Sequence, residues 1–147
     1  MGALADAALA AGGRVTGVMP QALVDMEIAH YGLSKMHIVG SMHERKALMN
    51  SLSDAFIILP GGWGTMDELC EVLTWAQLQI HHKPCALWNV AGYYHSLLTF
   101  LEHAVDQGFL KSQDYQRLRV ASSLQELFLS MAAFEPTFDR IPAKLRE

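Results

Sequence analysis

Ala55-Phe56-Ile57-Ile58-Leu59-Pro60-Gly61-Gly62-Trp63-Gly64-Thr65-Met66-Asp67-Glu68 decides the fold. Its first five residues form an unbroken apolar run, which predicts a strand buried on both faces, as in the centre of a parallel sheet. Pro60 and the glycines end that strand. Thr65-Met66-Asp67-Glu68 has the spacing of a capping box, so a helix is expected to start there. Leu69, Val72, Leu73 and Ala76 give this helix an apolar stripe.

Working outward, the same alternation continues on both sides. Upstream, an alanine-rich helix over residues 3–11 stops at Gly12-Gly13, and a strand over 14–19 is closed by Pro20. Residues 21–31 read as a helical turn followed by a loop at Gly32. A short strand over 36–39 leads through Gly40 to Ser41-Met42-His43-Glu44, another capping-box spacing, and a helix to about Leu52. Downstream, Pro84 introduces a strand over 85–88, followed by a helix over about 93–105. A weak strand near 118–121 and a helix over about 124–133 close the series. Strand alternating with helix is the pattern of an α/β fold with a mainly parallel sheet. Such sheets bind ligands at the carboxyl ends of their strands, which directs attention to residues 40–46 and 60–68.

The chain has 147 residues, the size of a single domain (1–147), with 51% hydrophobic and 18% charged residues. A formal net charge of −4 disfavours non-specific nucleic-acid binding, while leaving room for one phosphate held by a few groups. Cys70 and Cys85 make no CxxC and no metal spacing, and one pair is a poor secretory signature. No apolar stretch has the length of a membrane span, and the N-terminal residues lack the basic start of a targeting signal. A cytoplasmic protein is expected, with neither nucleic acid nor membrane as partner.

Gly61, Gly62 and Gly64 join a strand to a helix. Without Cβ atoms and with positive φ open to them, their backbone N–H groups can converge on an anion. The helix start adds unpaired N–H groups and a dipole that favours phosphate. No lysine follows as in a P-loop, and GGxG is not the dinucleotide fingerprint. A ligand-free turn is the alternative. Glu68 is either the structural partner of Thr65 in the capping box or an acid placed beside the sugar beyond a bound phosphate. Glu71 shares its face, and Asp67 reads as a first-turn acid. Arg45 and Lys46 stand near a helix start, where the dipole disfavours cations, so either an external anion or carboxylate faces them or they line a solvated surface. His43, His81, His82, His95 and His103 match no metal motif. The His81-His82 pair reads as cations complementing a helix C-terminus. Trp88, Phe100 and Phe128 fall on apolar stripes and are expected in the core. Tyr93-Tyr94 after Gly92 either rims a pocket or, the preferred reading, packs in the core or on the surface.

With Met42-His43-Glu44-Arg45-Lys46 and Pro60-Gly61-Gly62-Trp63-Gly64-Thr65-Met66-Asp67-Glu68 in view, the chain resembles the LOG ("Lonely Guy") family, the cytokinin riboside 5′-monophosphate phosphoribohydrolases. The family's MHxRK and PGGxGTxxE motifs are both met in full at the family's separation. The similarity continues through Thr74-Trp75-Ala76-Gln77-Leu78 and Asn89-Val90-Ala91-Gly92-Tyr93-Tyr94, and covers residues 1 to about 110. The resemblance implies a Rossmann-like nucleotide-binding fold, a homodimer, no cofactor, and hydrolysis of the N-glycosidic bond of AMP or an N6-substituted AMP. It implies Arg45 and Glu68 as the catalytic pair. It implies substrate binding by Glu27, Lys46, Gly61, Gly62, Trp63, Gly64, Thr65, Met66, Asp67 and Thr74.

Members of the family have often carried the label "lysine decarboxylase", but no lysine here has the context of a pyridoxal phosphate Schiff base. The family pattern starts with strands and a glycine-rich stretch ahead of the segment matching Met1-Gly2. The resemblance therefore implies that about two N-terminal βα units are missing. The alternative function is accordingly a truncated, non-catalytic nucleotide-binding or dimerisation module of the same fold.

Overall fold

The computed structural model describes residues 1–26 and 32–135. It contains two compact units, Met1–Ser53 and Asp54–Glu147. All strand pairs in both are parallel, in keeping with the α/β reading.

In the first unit, helix α1 (Gly2–Ala10) ends where Gly12 turns left-handed at φ +79°. Strand β1 (Thr16–Pro20) is followed by one helical turn, α2 (Gln21–Val24). Strand β2 (Lys35–Val39) pairs with β1 in register from Thr16 opposite Lys35 to Pro20 opposite Val39. Helix α3 (Met42–Leu52) starts as the sequence predicts. The Ser41 hydroxyl accepts from the Glu44 N–H at 3.1 Å. In return Glu44 Oε2 accepts from the N–H of Gly40, one residue ahead of the usual capping-box donor, at 2.7 Å.

The second unit holds β3 (Phe56–Ile58), β4 (Cys85–Trp88) and β5 (Leu118–Ala121) in the order β3-β4-β5. Period-2 alternation sends Cys85 and Leu87 to one face of β4 and Ala86 and Trp88 to the other. The first face joins Ile58, Leu69, Tyr94 and Leu118 in the main core cluster. Side chains of α4 (Trp63–Gln77) and α5 (His95–Asp106) cover it: Met66, Val72 and Leu73 from one, Leu97, Leu98 and Leu101 from the other. The second face packs Ala86 and Ala121 against Leu127 of α7 (Leu124–Ala132). Full burial of a leucine such as Leu69 or Leu87 contributes roughly 1.5–3 kcal/mol. A short helix, α6 (Ser112–Tyr115), and a 3-10 turn over Val90–Gly92 had no apolar period to announce them. At α7 the Ser123 hydroxyl accepts from the Glu126 N–H at 3.2 Å, and Glu126 Oε2 from that of Ser122 at 3.0 Å. This is the offset box of α3 again.

Three expectations are corrected. β4, not β3, is the doubly covered middle strand, and Ile57 of β3 is 40% exposed. An unbroken apolar run does not separate a middle strand from an edge strand with one open face. Phe100 and Phe128 are exposed rather than core, because Leu97, Leu98, Leu101 and Leu127 already fill the contact faces of their helices. Trp88, partly buried, packs against the second core cluster as expected. His81 is buried and does not serve as a cation at the end of α4. Its Nδ1 accepts from the Lys83 N–H at 3.2 Å, so Nε2 carries the hydrogen and donates to the Val72 carbonyl at 3.0 Å. Burial holds this imidazole below its usual pKa, in the neutral form.

Candidate active site

Parallel pairing places the loops that follow β3, β4 and β5 at the same edge of the sheet, its carboxyl end. The loop after β3 is Leu59-Pro60-Gly61-Gly62, and it runs straight into α4. The helix starts three residues earlier than the sequence suggests. Gly62 is the N-cap, and its carbonyl accepts the first helical bond, from the Met66 N–H, at 3.0 Å. Thr65 is thereby the third residue of the helix rather than its cap, and no side chain caps this end. The Thr65–Glu68 capping box is therefore corrected: Glu68 is the sixth residue of α4, and Asp67 the fifth rather than a first-turn acid.

A helix start leaves four backbone N–H groups without helical partners, here those of Gly62, Trp63, Gly64 and Thr65. Ser41 and Ser123 cap α3 and α7 with hydroxyls, whereas α4 presents glycine. The glycines do not act through positive φ, since none of Gly61, Gly62 or Gly64 is left-handed. Gly61 is required for space. A Cβ there would lie 2.8 Å from the Thr65 Cβ and collide with its Oγ1. Around Gly62 and Gly64 a Cβ would meet nothing within 4 Å, so the front of this helix end is open.

Glu68 is half-buried and Asp67 exposed. Helical side chains lean toward the N-terminus, so Glu68 overlies the turn that holds Gly64 and Thr65. Its Cα stands ~9 Å along the axis from Gly62. Trp63 is 91% exposed, Met66 packs against the core cluster, and Thr74 donates its hydroxyl to the Cys70 carbonyl at 2.7 Å. In the first unit, Arg45 and Lys46 are the fourth and fifth residues of α3, both half-buried. Arg45 Nε donates to the Val18 carbonyl of β1 at 3.3 Å, which fixes the stem of its guanidinium. Glu27 lies outside the described residues. Among the described residues no three His, Cys, Asp or Glu side chains are grouped to hold a metal ion. No helix there is long and apolar enough to cross a membrane.

Sequence reasoning gave Asn89 no role at this site and preferred packing to a pocket rim for Tyr93 and Tyr94; all three lie in the loop after β4. Asn89 Oδ1 accepts from the Tyr94 N–H at 2.8 Å, and the left-handed Ala91 (φ +51°) and Gly92 (φ +72°) complete the turn. The Tyr94 phenol is buried and donates to the Leu59 carbonyl at 2.5 Å. The Tyr93 phenol donates to the Gly61 carbonyl at 2.8 Å. The two rings meet edge to face at 4.9 Å between centroids. Burial pushes the Tyr94 phenol above its usual pKa, so it stays a donor. A usable signal was the adjacent tyrosine pair, because a buried phenol requires a hydrogen-bond partner.

Comparison with known proteins bears on the family of the chain. The family model described as "Possible lysine decarboxylase" matches residues 1–131. The cytokinin riboside 5′-monophosphate phosphoribohydrolase LOG7 of Arabidopsis thaliana is 46% identical over 145 residues, 99% of this chain and 67% of the relative. LOG5 of the same plant is 47% identical over 146 residues, 99% of this chain and 64% of the relative. A cytokinin riboside 5′-monophosphate phosphoribohydrolase of Rhodococcoides fascians is 49% identical over 126 residues, 85% of this chain and 64% of the relative. The chain thus spans about two thirds of the length of the relatives it matches. With both motifs intact and the similarity running through the whole strand–loop–helix unit, the chain belongs to the LOG family of phosphoribohydrolases.

Proposed function

We propose that this chain hydrolyses the N-glycosidic bond of a nucleoside 5′-monophosphate, AMP or an N6-substituted AMP, releasing the free base and ribose 5-phosphate. The observation that carries the reading is the start of α4, capped by glycine and open in front, with a carboxylate overlying its first turn. Such a terminus matches a dianionic phosphate in charge and in donors. The phosphate would take the N–H groups of Gly62, Trp63, Gly64 and Thr65, and the family reading adds Glu27, Lys46, Gly61, Met66, Asp67 and Thr74 as substrate-binding residues. The sugar would then extend toward Glu68.

Cleavage of a ribosyl–base bond builds positive charge at C1′, as in other glycoside hydrolyses. Ionised Glu68 stabilises that charge and directs a water molecule to C1′. The water oxygen bonds to C1′ and gives up one proton as the bond to the base nitrogen breaks, and the base leaves with the bonding pair and takes up one proton, so the hydrolysis balances. Arg45, the other proposed catalytic residue, is assigned by the family reading to binding phosphate, orienting Glu68 or assisting the departing base. Holding phosphate and carboxylate on one helix lowers the entropic part of the barrier. The working unit we infer is a cytoplasmic homodimer, as the family reading implies.

The test is chromatography of AMP incubated with the chain, alongside thermal unfolding with and without AMP. Free adenine together with a raised unfolding midpoint is expected. A raised midpoint without adenine would reduce the chain to a nucleotide-binding module, and the absence of both effects would refute the reading.

A further inference from the structure

Two tyrosines from the loop after β4 grip the carbonyls of the loop after β3, and the second of those carbonyls belongs to the peptide that starts the anion-binding turn. We propose that Tyr93 is a positioning residue for phosphate, aiming the Gly62 N–H through its hydrogen bond to the Gly61 carbonyl. This rests on the phosphate site described under the proposed function.

Peptide geometry supplies the reason. A trans peptide is planar, so the carbonyl of Gly61 and the N–H of Gly62 point in opposite directions and turn together. A donor fixed on the carbonyl therefore fixes the direction of the N–H, away from the tyrosine. Two glycines in succession have the softest backbone in the chain, and this peptide links them. The steric block from Thr65 explains why Gly61 carries no side chain, but it does not set the peptide's rotation. The Tyr93 phenol does, at 2.8 Å. A hydrogen bond on the carbonyl also polarises the amide and makes its N–H a better donor.

Tyr94 has a different part. The Leu59 carbonyl it holds belongs to the peptide to Pro60, which has no N–H to aim. Its bond anchors the end of β3, and its buried ring belongs to the core. Asn89 and the edge-to-face ring contact keep the pair in place. Tyr93 is 56% exposed, so its phenol is not needed to satisfy a buried group. Removing that hydroxyl alone leaves the packing intact and frees one peptide.

The test compares wild type with Tyr93→Phe in three measurements: AMP turnover, competition by inorganic phosphate, and competition by adenosine, which lacks the phosphate. The KM for AMP and the inhibition constant of phosphate are expected to rise together, about tenfold, as for one lost hydrogen bond. The kcat, the inhibition constant of adenosine and the thermal midpoint are expected to stay within about twofold or ~2 °C, the scale of a surface change. A merely structural tyrosine would move the midpoint and spare the phosphate selectivity, and that result overturns the inference. Turnover in wild type with unchanged constants in Tyr93→Phe overturns it as well and leaves the hydrolase standing. Phosphate binding that weakens in Tyr93→Phe, in a chain without turnover, supports the positioning role and refutes the hydrolase. No binding of phosphate by wild type overturns the positioning role, and together with no turnover it refutes the hydrolase as well.

Discussion

Gly61 and Gly62 are adjacent and have different duties. At Gly61 an added methyl meets Thr65, so Gly61→Ala should destabilise the fold by about 1–3 kcal/mol, as overpacking does, and displace the loop. Urea unfolding measures it; an unchanged midpoint would contradict the steric account. Gly62 has open space and an ordinary negative φ of −102°, so a side chain fits there. Gly62→Asp would cap α4 with its own carboxylate and raise stability by about 0.3–1 kcal/mol. It would also fill the place of a phosphate, so AMP should no longer raise the thermal midpoint. Stability gained with ligand response kept would contradict the site. His81 adds a pH effect. Its folded pKa lies below the ordinary 6.5 because of burial, so the unfolded chain takes up the proton more readily. The contribution is whole above pH ~6.5 and is lost as the pH falls from there toward the folded value. In His81→Gln the fall of the unfolding midpoint between pH ~6.5 and ~5 should be shallower than in wild type; an equal slope would contradict a neutral buried imidazole.

At the scale of elements, hydrogen bonds set where helices begin, and this is where the sequence was both clear and misleading. Ser41 with Glu44 marks α3 correctly, because the serine precedes the first apolar residue and the hydroxyl reaches the N–H of Glu44. Thr65 with Glu68 has the same spacing and fails, because Gly62 already supplies the first carbonyl and the threonine is one turn inside. Spacing cannot tell a cap from an interior pair when a glycine two or three residues earlier can begin the helix. The tyrosine contacts were not legible for a related reason: they join residues 61 and 93, and only the parallel pairing of β3 with β4 brings their loops to one edge. The capped α7 supplies a stability test, since Ser123→Ala should cost about 1 kcal/mol in denaturant unfolding. No change would mean that the offset box contributes nothing.

For the chain as a whole, the alternating order of strands and helices was readable because each has its own hydrophobic period, and so was the direction of the sheets. Burial was less readable, since exposure of Ile57, Phe100 and Phe128 depends on which partner covers which face. The two cysteines divide on the same ground. Cys85 is buried in the middle strand with its thiol pushed up to about 12, while Cys70 is exposed on α4. Iodoacetamide at pH ~8 should add one group, at Cys70, to the native chain and a second only after unfolding. Rapid native labelling of Cys85 would contradict the packed sheet. The central claim is that a nucleotide's phosphate sits on the uncapped start of α4 with Glu68 beside the sugar. A crystal structure of Glu68→Gln, which cannot ionise there, grown with AMP tests it most directly. Phosphate oxygens within hydrogen-bonding distance of the N–H groups of Gly62 to Thr65, and the substituted side-chain amide next to C1′, are the predicted result; AMP bound away from this helix end would contradict it.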